Sequence, residues 1–128
     1  MSTSYSIFVK KHVSFMEMKS ALEGALKVAF TQDPEVSERL AYRTETLGLG
    51  ITLREAIGYE DDRDMKFTHF QFKISVDYFA KRFEGDLTDD WRRIASLVIG
   101  SITSRTLDCE CMVIENMQVL LRRFLPPK

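Results

Sequence analysis

No stretch of this chain stays apolar for the roughly 20 residues that a bilayer crossing requires, so the sequence does not read as membrane-spanning. Nor does it open like a secretory leader. In MSTSYSIFVKK the lysines follow the apolar stretch, where a leader places its basic residues first, and that stretch is only about five residues long. These two absences predict a mature chain that begins near Met1 and stays in the cytoplasm. Cysteine is scarce as well, at two residues, Cys109 and Cys111. Two positions apart on an extended segment, they point to one side with Cα atoms near the upper limit for a disulfide. They are therefore read as small buried hydrophobes in a reducing compartment.

Signatures of chemistry are missing too. A structural zinc site wants four ligands, and the Cys109-x-Cys111 pair has no second pair to complete one. Gly48-Leu49-Gly50 lacks the third glycine and the strand-to-helix setting of a dinucleotide fingerprint, and neither G-x-x-x-x-G-K-[ST] nor G-x-S-x-G occurs. Glu60, Asp61, Asp62 and Asp64 crowd together without the central glycine and closing glutamate of a calcium loop. His69 and His12 have no sequence neighbour to orient them as general bases. The expectation is no enzyme, no cofactor and no metal. A pI near 6.1 with no clustered basic stripe also argues against a nucleic-acid binder.

What is present is an ordinary globular composition, 45% hydrophobic and 29% charged over 128 residues. A chain of this length buries roughly two thirds of the surface its unfolded form exposes, enough for one α+β domain spanning 1–128 without a staple. The net charge of −1 hides an uneven distribution. Residues 32–90 hold fourteen acidic and eight basic groups, while both flanks are basic.

The clearest structural signal runs from Met65 to Phe79. There Phe70, Phe72, Ile74, Val76 and Tyr78 alternate with polar residues, as on a half-buried strand. Before it, Tyr5 to Lys10 reads as a first strand. Ser14-Phe15-Met16-Glu17 fits a capping box, and Phe15, Met18, Leu22, Ala25, Leu26, Ala29 and Phe30 make a helical stripe that Asp33-Pro34 ends. Glu35 to Leu40 reads as a loop or one more helical turn, and from Ala41 onward Thr44, Thr46, Leu49, Ile51, Leu53 and Ile57 favour extended structure with a bend or bulge at Gly48 and Gly50. The Asp61-Asp62-Arg63-Asp64 cluster then becomes the tip of a long central hairpin. Thr88 is read as the N-cap of a second helix with Trp91, Ile94, Ala95, Val98 and Ile102 as its buried stripe, widened by Leu97 and Ile99. Gly100 weakens that helix, so close packing is expected to compensate. The chain closes with Cys109 to Phe124, as one strand or as a hairpin turning at Glu115-Asn116. Strand, helix, strand, strand, helix, strand is the βαββαβ, ferredoxin-like order, an antiparallel sheet with two helices on one face.

In size, acidity, α+β make-up and lack of chemical motifs the chain resembles bacterial toxin-immunity proteins. The resemblance implies a cytoplasmic inhibitor that binds a cognate toxin and blocks its active site or substrate groove, with acidic residues set against a basic partner. Glu60, Asp61, Asp62 and Asp64 are then the first interface candidates. Phe67 and His69 join them as aromatic and polar groups on the outer face of the long strand. A second acidic cluster, Glu84, Asp86, Asp89 and Asp90, lies beyond the other end of that strand, about fourteen residues of extended chain away, too far for a single patch. The alternative class is a small-molecule-binding or catalytic ferredoxin-like domain with a cleft in the fold or at a dimer interface. A homodimer is the third, formed through a sheet face rimmed by Phe67 and Phe79.

Overall fold

In a computed structural model that describes residues 3–32, 41–46, 48–62, 65–78 and 86–127, the sequence spacings resolve into strands and helices that all use one sheet. Strand β1 (Tyr5–Lys10) is buried from Tyr5 to Val9, on both of its faces. It can be, because it lies between two other strands with material above and below. Ser14 then caps α1 (Phe15–Leu26): its hydroxyl accepts from the Glu17 amide at 3.2 Å, and the Glu17 carboxylate accepts from the Ser14 amide at 3.3 Å. The capping box is therefore formed, and the helix sends Phe15, Met18 and Leu22 into the core. It stops earlier than Asp33-Pro34. Lys27 adopts the left-handed conformation with φ of 58° and donates its amide to the Glu23 carbonyl. Phe30 is buried beyond the helix end, its amide donating at 2.7 Å to the Glu23 side chain. That amide, aided by Lys19, holds the Glu23 carboxyl below the ordinary carboxylate range.

The short β2 (Thr31–Gln32) pairs with β3 (Ala41–Thr46), which turns at Gly48 into β4 (Leu49–Glu55). Glu35 to Leu40, read as loop or helical turn, lie outside the described residues. Gly48 has φ of 80°, a conformation natural to glycine. Strand β5 (Phe72–Tyr78) pairs with both β4 and β1. Helix α2 (Asp86–Leu107) then leads to β6 (Glu110–Glu115) and β7 (Val119–Phe124), a hairpin that turns through Asn116 and Met117, both at positive φ. The order across the sheet is β2-β3-β4-β5-β1-β6-β7, and every neighbouring pair is antiparallel. The α+β class, the antiparallel sheet and the two helices on one face agree with the sequence reading. The four-stranded βαββαβ order does not, because the described sheet has seven strands. Short β2, the separation of β3 from β4 at Gly48 and the split of the last segment into β6 and β7 account for the three extra strands.

The main core lies between the helices and the near face of the sheet. Ile7 and Val9 of β1, Leu49, Ile51 and Leu53 of β4, Phe72, Ile74 and Val76 of β5, and Cys111 and Val113 of β6 meet the two helices there. Burying each large apolar side chain contributes about 1.5–3 kcal/mol. Cys109 and Cys111 are both free and buried, on the helix-covered face. A hydrogen bond between the two thiols moves them apart in acidity: Cys109 falls and the solvent-sealed Cys111 rises. Among the described residues no group of three or more His, Cys, Asp or Glu is placed to hold a metal ion. No described helix is long and apolar enough to cross a membrane.

Helix α2 departs most from expectation. It begins at Asp86, two residues before Thr88, and the predicted stripe is turned outward: Trp91, Ile94 and Val98 are exposed. Ala95 and Ile99 do enter the core, but the rest of the sheet-facing side is Arg92, Ser96, Thr103 and Ser104, all buried. Small residues at 96, 100 and 104 let the helix backbone come close to the sheet. Ser96 returns its hydroxyl to the Arg92 carbonyl at 2.7 Å, Ser104 donates to the Leu125 carbonyl at 3.1 Å, and the Arg92 guanidinium lies 5.5 Å from the centre of the Tyr5 ring. Gly100 is the tightest point, since a Cβ there would sit 2.9 Å from a Val113 methyl and 3.2 Å from the Phe124 ring. Alanine is the better helix former by about 1 kcal/mol, yet overpacking against buried Val113 costs about 1–3 kcal/mol, so Gly100→Ala is expected to be net destabilising by about 1 kcal/mol. Urea unfolding checks this, and a stabilised variant would show that the approach is looser than described.

Candidate functional site

The chain between β4 and β5, described at residues 56–62 and 65–71, is where the acidic candidates lie; it closes the expected central hairpin, with Asp62 bridged to Met65 beside the turn, but as a long folded connection and not a bare tip. It folds back over the far face of the sheet, opposite the helices. Phe8 of β1 and Met112 and Ile114 of β6 point to that face, and Met65, Phe67 and Phe70 of the connection come down on them as a second buried core. Phe8 stands edge-on to Tyr59 with ring centres 5.1 Å apart, and it lies 4.8 Å from Phe67. Lys73 of β5 donates to the Tyr59 hydroxyl at 2.8 Å.

The backbone of this lobe is tied at both ends and in the middle. Ala56 donates to the Gln71 carbonyl at 2.9 Å, and Gln71 donates to the Val9 carbonyl at 3.0 Å. Asp62 and Met65 exchange both of their backbone bonds, at 3.0 and 2.8 Å. Phe67–His69 forms a single 3-10 turn, not strand. The Asp61 carboxylate accepts from the Thr68 amide at 3.0 Å and from its hydroxyl at 2.8 Å. Those two donors, the amide first, hold Asp61 below the ordinary carboxylate range, so it remains ionised into acid.

Of the candidates, Glu60, Asp61 and Asp62 are exposed on the outside of the lobe. Asp64 and Phe79 lie outside the described residues. Phe67 is a correction: it is 3% exposed and belongs to the second core, so it is no surface aromatic. His69 is exposed, as expected, but on the 3-10 turn and not on a strand. It borders an open hollow of about 550 Å³ that also takes in Lys10, Lys66, Glu110 and Arg123. Glu110 is paired with Arg123 at 3.3 Å there. His12 is exposed beyond the end of β1. In the second acidic cluster Glu84 is outside the described residues, and Asp90 is exposed with Arg93 at 3.9 Å. The lobe therefore joins Glu60, Asp61 and Asp62 on one fixed surface and places Phe67 beneath them as a support.

The residues that sequence reasoning missed are Phe8, Tyr59 and Met65, which hold the lobe in place. A signal was there. Met65 and Phe67 share one parity and Phe70, Phe72 and Ile74 the other, and the step of three between Phe67 and Phe70 is the spacing of a 3-10 turn. Comparison of the chain with protein-family models, with curated proteins and with solved structures gives no match.

Proposed function

We propose that this protein is a binding protein that acts by occlusion, an immunity-type inhibitor whose acidic lobe covers the active site or substrate groove of a basic partner domain. The observation that carries this reading is the anchoring of the lobe. Exposed Glu60, Asp61 and Asp62 sit on a connection locked by Asp61–Thr68 hydrogen bonds and by a separate apolar core. A flexible acidic loop would lose side-chain and backbone freedom on binding, at about 0.5–1.5 kcal/mol for each side chain immobilised. This lobe has already been ordered by folding. Its charges lie on one side of the sheet, where long-range attraction accelerates encounter with a cationic surface. No catalytic step is assigned to the protein in this reading.

The test is the product of the adjoining reading frame. If that frame encodes a secreted multidomain protein, its C-terminal domain is expressed with and without this chain. Restored growth and a complex of one chain with one domain are expected. Reversing two charges, Asp61→Lys with Asp62→Lys, is expected to slow association by about 10- to 100-fold at low salt and to flatten its salt dependence. Failure of complex formation, or an association rate and salt dependence untouched by the reversals, overturns the assignment.

A further inference from the structure

Helix α2 carries apolar residues on two sides, Ala95 and Ile99 toward the core and a second set toward solvent. Its sheet-facing side buries Arg92, Ser96, Thr103 and Ser104, while its outward side exposes Trp91 at 42%, Ile94 at 50% and Val98 at 50%. At 3.6 residues per turn, these three fall with half-buried Ile102 and exposed Arg105 in one strip roughly 80° wide. An ordinary surface helix keeps such a strip polar. The strip is itself one wall of an open groove of about 220 Å³, whose other wall is Leu26 and Val28 at the end of α1 and Leu49 and Ile51 of β4, so the apolar surface continues from the helix onto its neighbours. Contiguous exposed apolar surface of this kind marks an interaction site.

We propose that the partner at this strip is a second copy of the chain, with α2 packed antiparallel on α2 about a two-fold axis at Val98. The strip is complementary to itself, as a two-fold interface requires. With Val98 at the axis, it meets the partner's Val98, Ile94 meets the partner's Ile102, and Trp91 meets the partner's Arg105. Arg105, in the last turn of α2, then lies over an indole face, a favourable place for a guanidinium. Asp90, next to Trp91 and 64% exposed in its side chain, faces the same Arg105. A parallel pairing would instead set Arg105 against Arg105 and Asp90 against Asp90, so the charges select the antiparallel one. The pairing uses the helix-covered face of the sheet. The acidic lobe is on the opposite face, and a dimer built this way presents two lobes outward, free for two partner domains.

The test is the mass of the purified chain by sedimentation velocity from about 1 to about 500 μM, since self-association responds to protomer concentration. A species of twice the 14.8 kDa chain mass is expected as concentration rises. Val98→Asp places two like charges on the axis and is expected to weaken the dimer at least about 100-fold. Because Val98 is half exposed, that variant should keep its circular dichroism and melting temperature. Arg105→Asp should weaken the dimer, and adding Asp90→Arg to it should restore much of the loss. As a second readout, Val98→Cys treated with copper phenanthroline is expected to give a covalent dimer. The two introduced thiols lose two electrons and two protons as the S–S bond forms across the axis, and a reducing agent reverses the link. The unsubstituted chain, whose own cysteines are buried, should not cross-link. A monomer at every concentration overturns the proposal. So does a dimer indifferent to Val98→Asp, or a strip whose substitutions affect only the complex with the lobe's partner, which would assign the strip to that partner.

Discussion

Phe8→Ala is expected to lower stability by about 3–5 kcal/mol and to loosen the acidic lobe at the same time. Phe8 is fully buried and carries the aromatic contacts to both Tyr59 and Phe67. Truncation removes those contacts and leaves a cavity between β1 and the connection that folds over it. For a domain of this size the loss corresponds to a fall in melting temperature of roughly 10–20 °C. Amide exchange supplies the sharper readout. The amides of Asp62, Met65 and Thr68, bonded within the lobe, should lose protection beyond what the global loss explains. If the proposed function is correct, the variant also binds its partner more weakly while its surface charges are unchanged. A loss below about 1 kcal/mol would mean that the lobe is not packed as described.

The companion result concerns the other face of the sheet. Leu22→Ala, at a fully buried position of α1, is expected to cost about 2–5 kcal/mol, since the surrounding β4 and α2 side chains relax only partly into the space. Here the lobe amides should follow the global transition, because Leu22 belongs to the helix-side core and the residues that anchor the connection belong to the other. Partner association by the folded fraction should be unchanged. The two substitutions together separate stability from lobe order. If Leu22→Ala loosened the lobe as far as Phe8→Ala does, the two cores would be one cooperative unit and the anchoring argument would fail.

Local features were legible in the sequence. The Ser14–Glu17 capping box and the alternation from Phe72 to Asp77 each depend on residues within a few positions of one another and are found as read, while of the two readings of the last segment the structure takes the hairpin. The buried Cys109 and Cys111 followed from their two-residue period. The acidic candidates were legible as charges but not as structure, because a polar cluster between two strands looks the same whether it caps a hairpin or rides on a folded lobe. What decides between these is the far face of β1 and β6, contributed from residues 8, 112 and 114, and no local spacing connects those positions to Phe67.

Helix α2 shows the limit most clearly. Its apolar stripe at Trp91, Ile94 and Val98 is strong in sequence, and a strong stripe is ordinarily the buried one. The fold instead turns the small side, Ser96, Gly100 and Ser104, to the sheet, where Val113 leaves no room for a Cβ. By itself the sequence determined the α+β class, the limits of β1, the start of α1 and the charge of the middle segment, because those depend on backbone preference and alternation along one chain. Only the tertiary structure decided which side of α2 meets the sheet and which face of the sheet carries the acidic lobe. Both depend on how closely distant backbones approach, a quantity set by side-chain volume across the fold and not by periodicity within it.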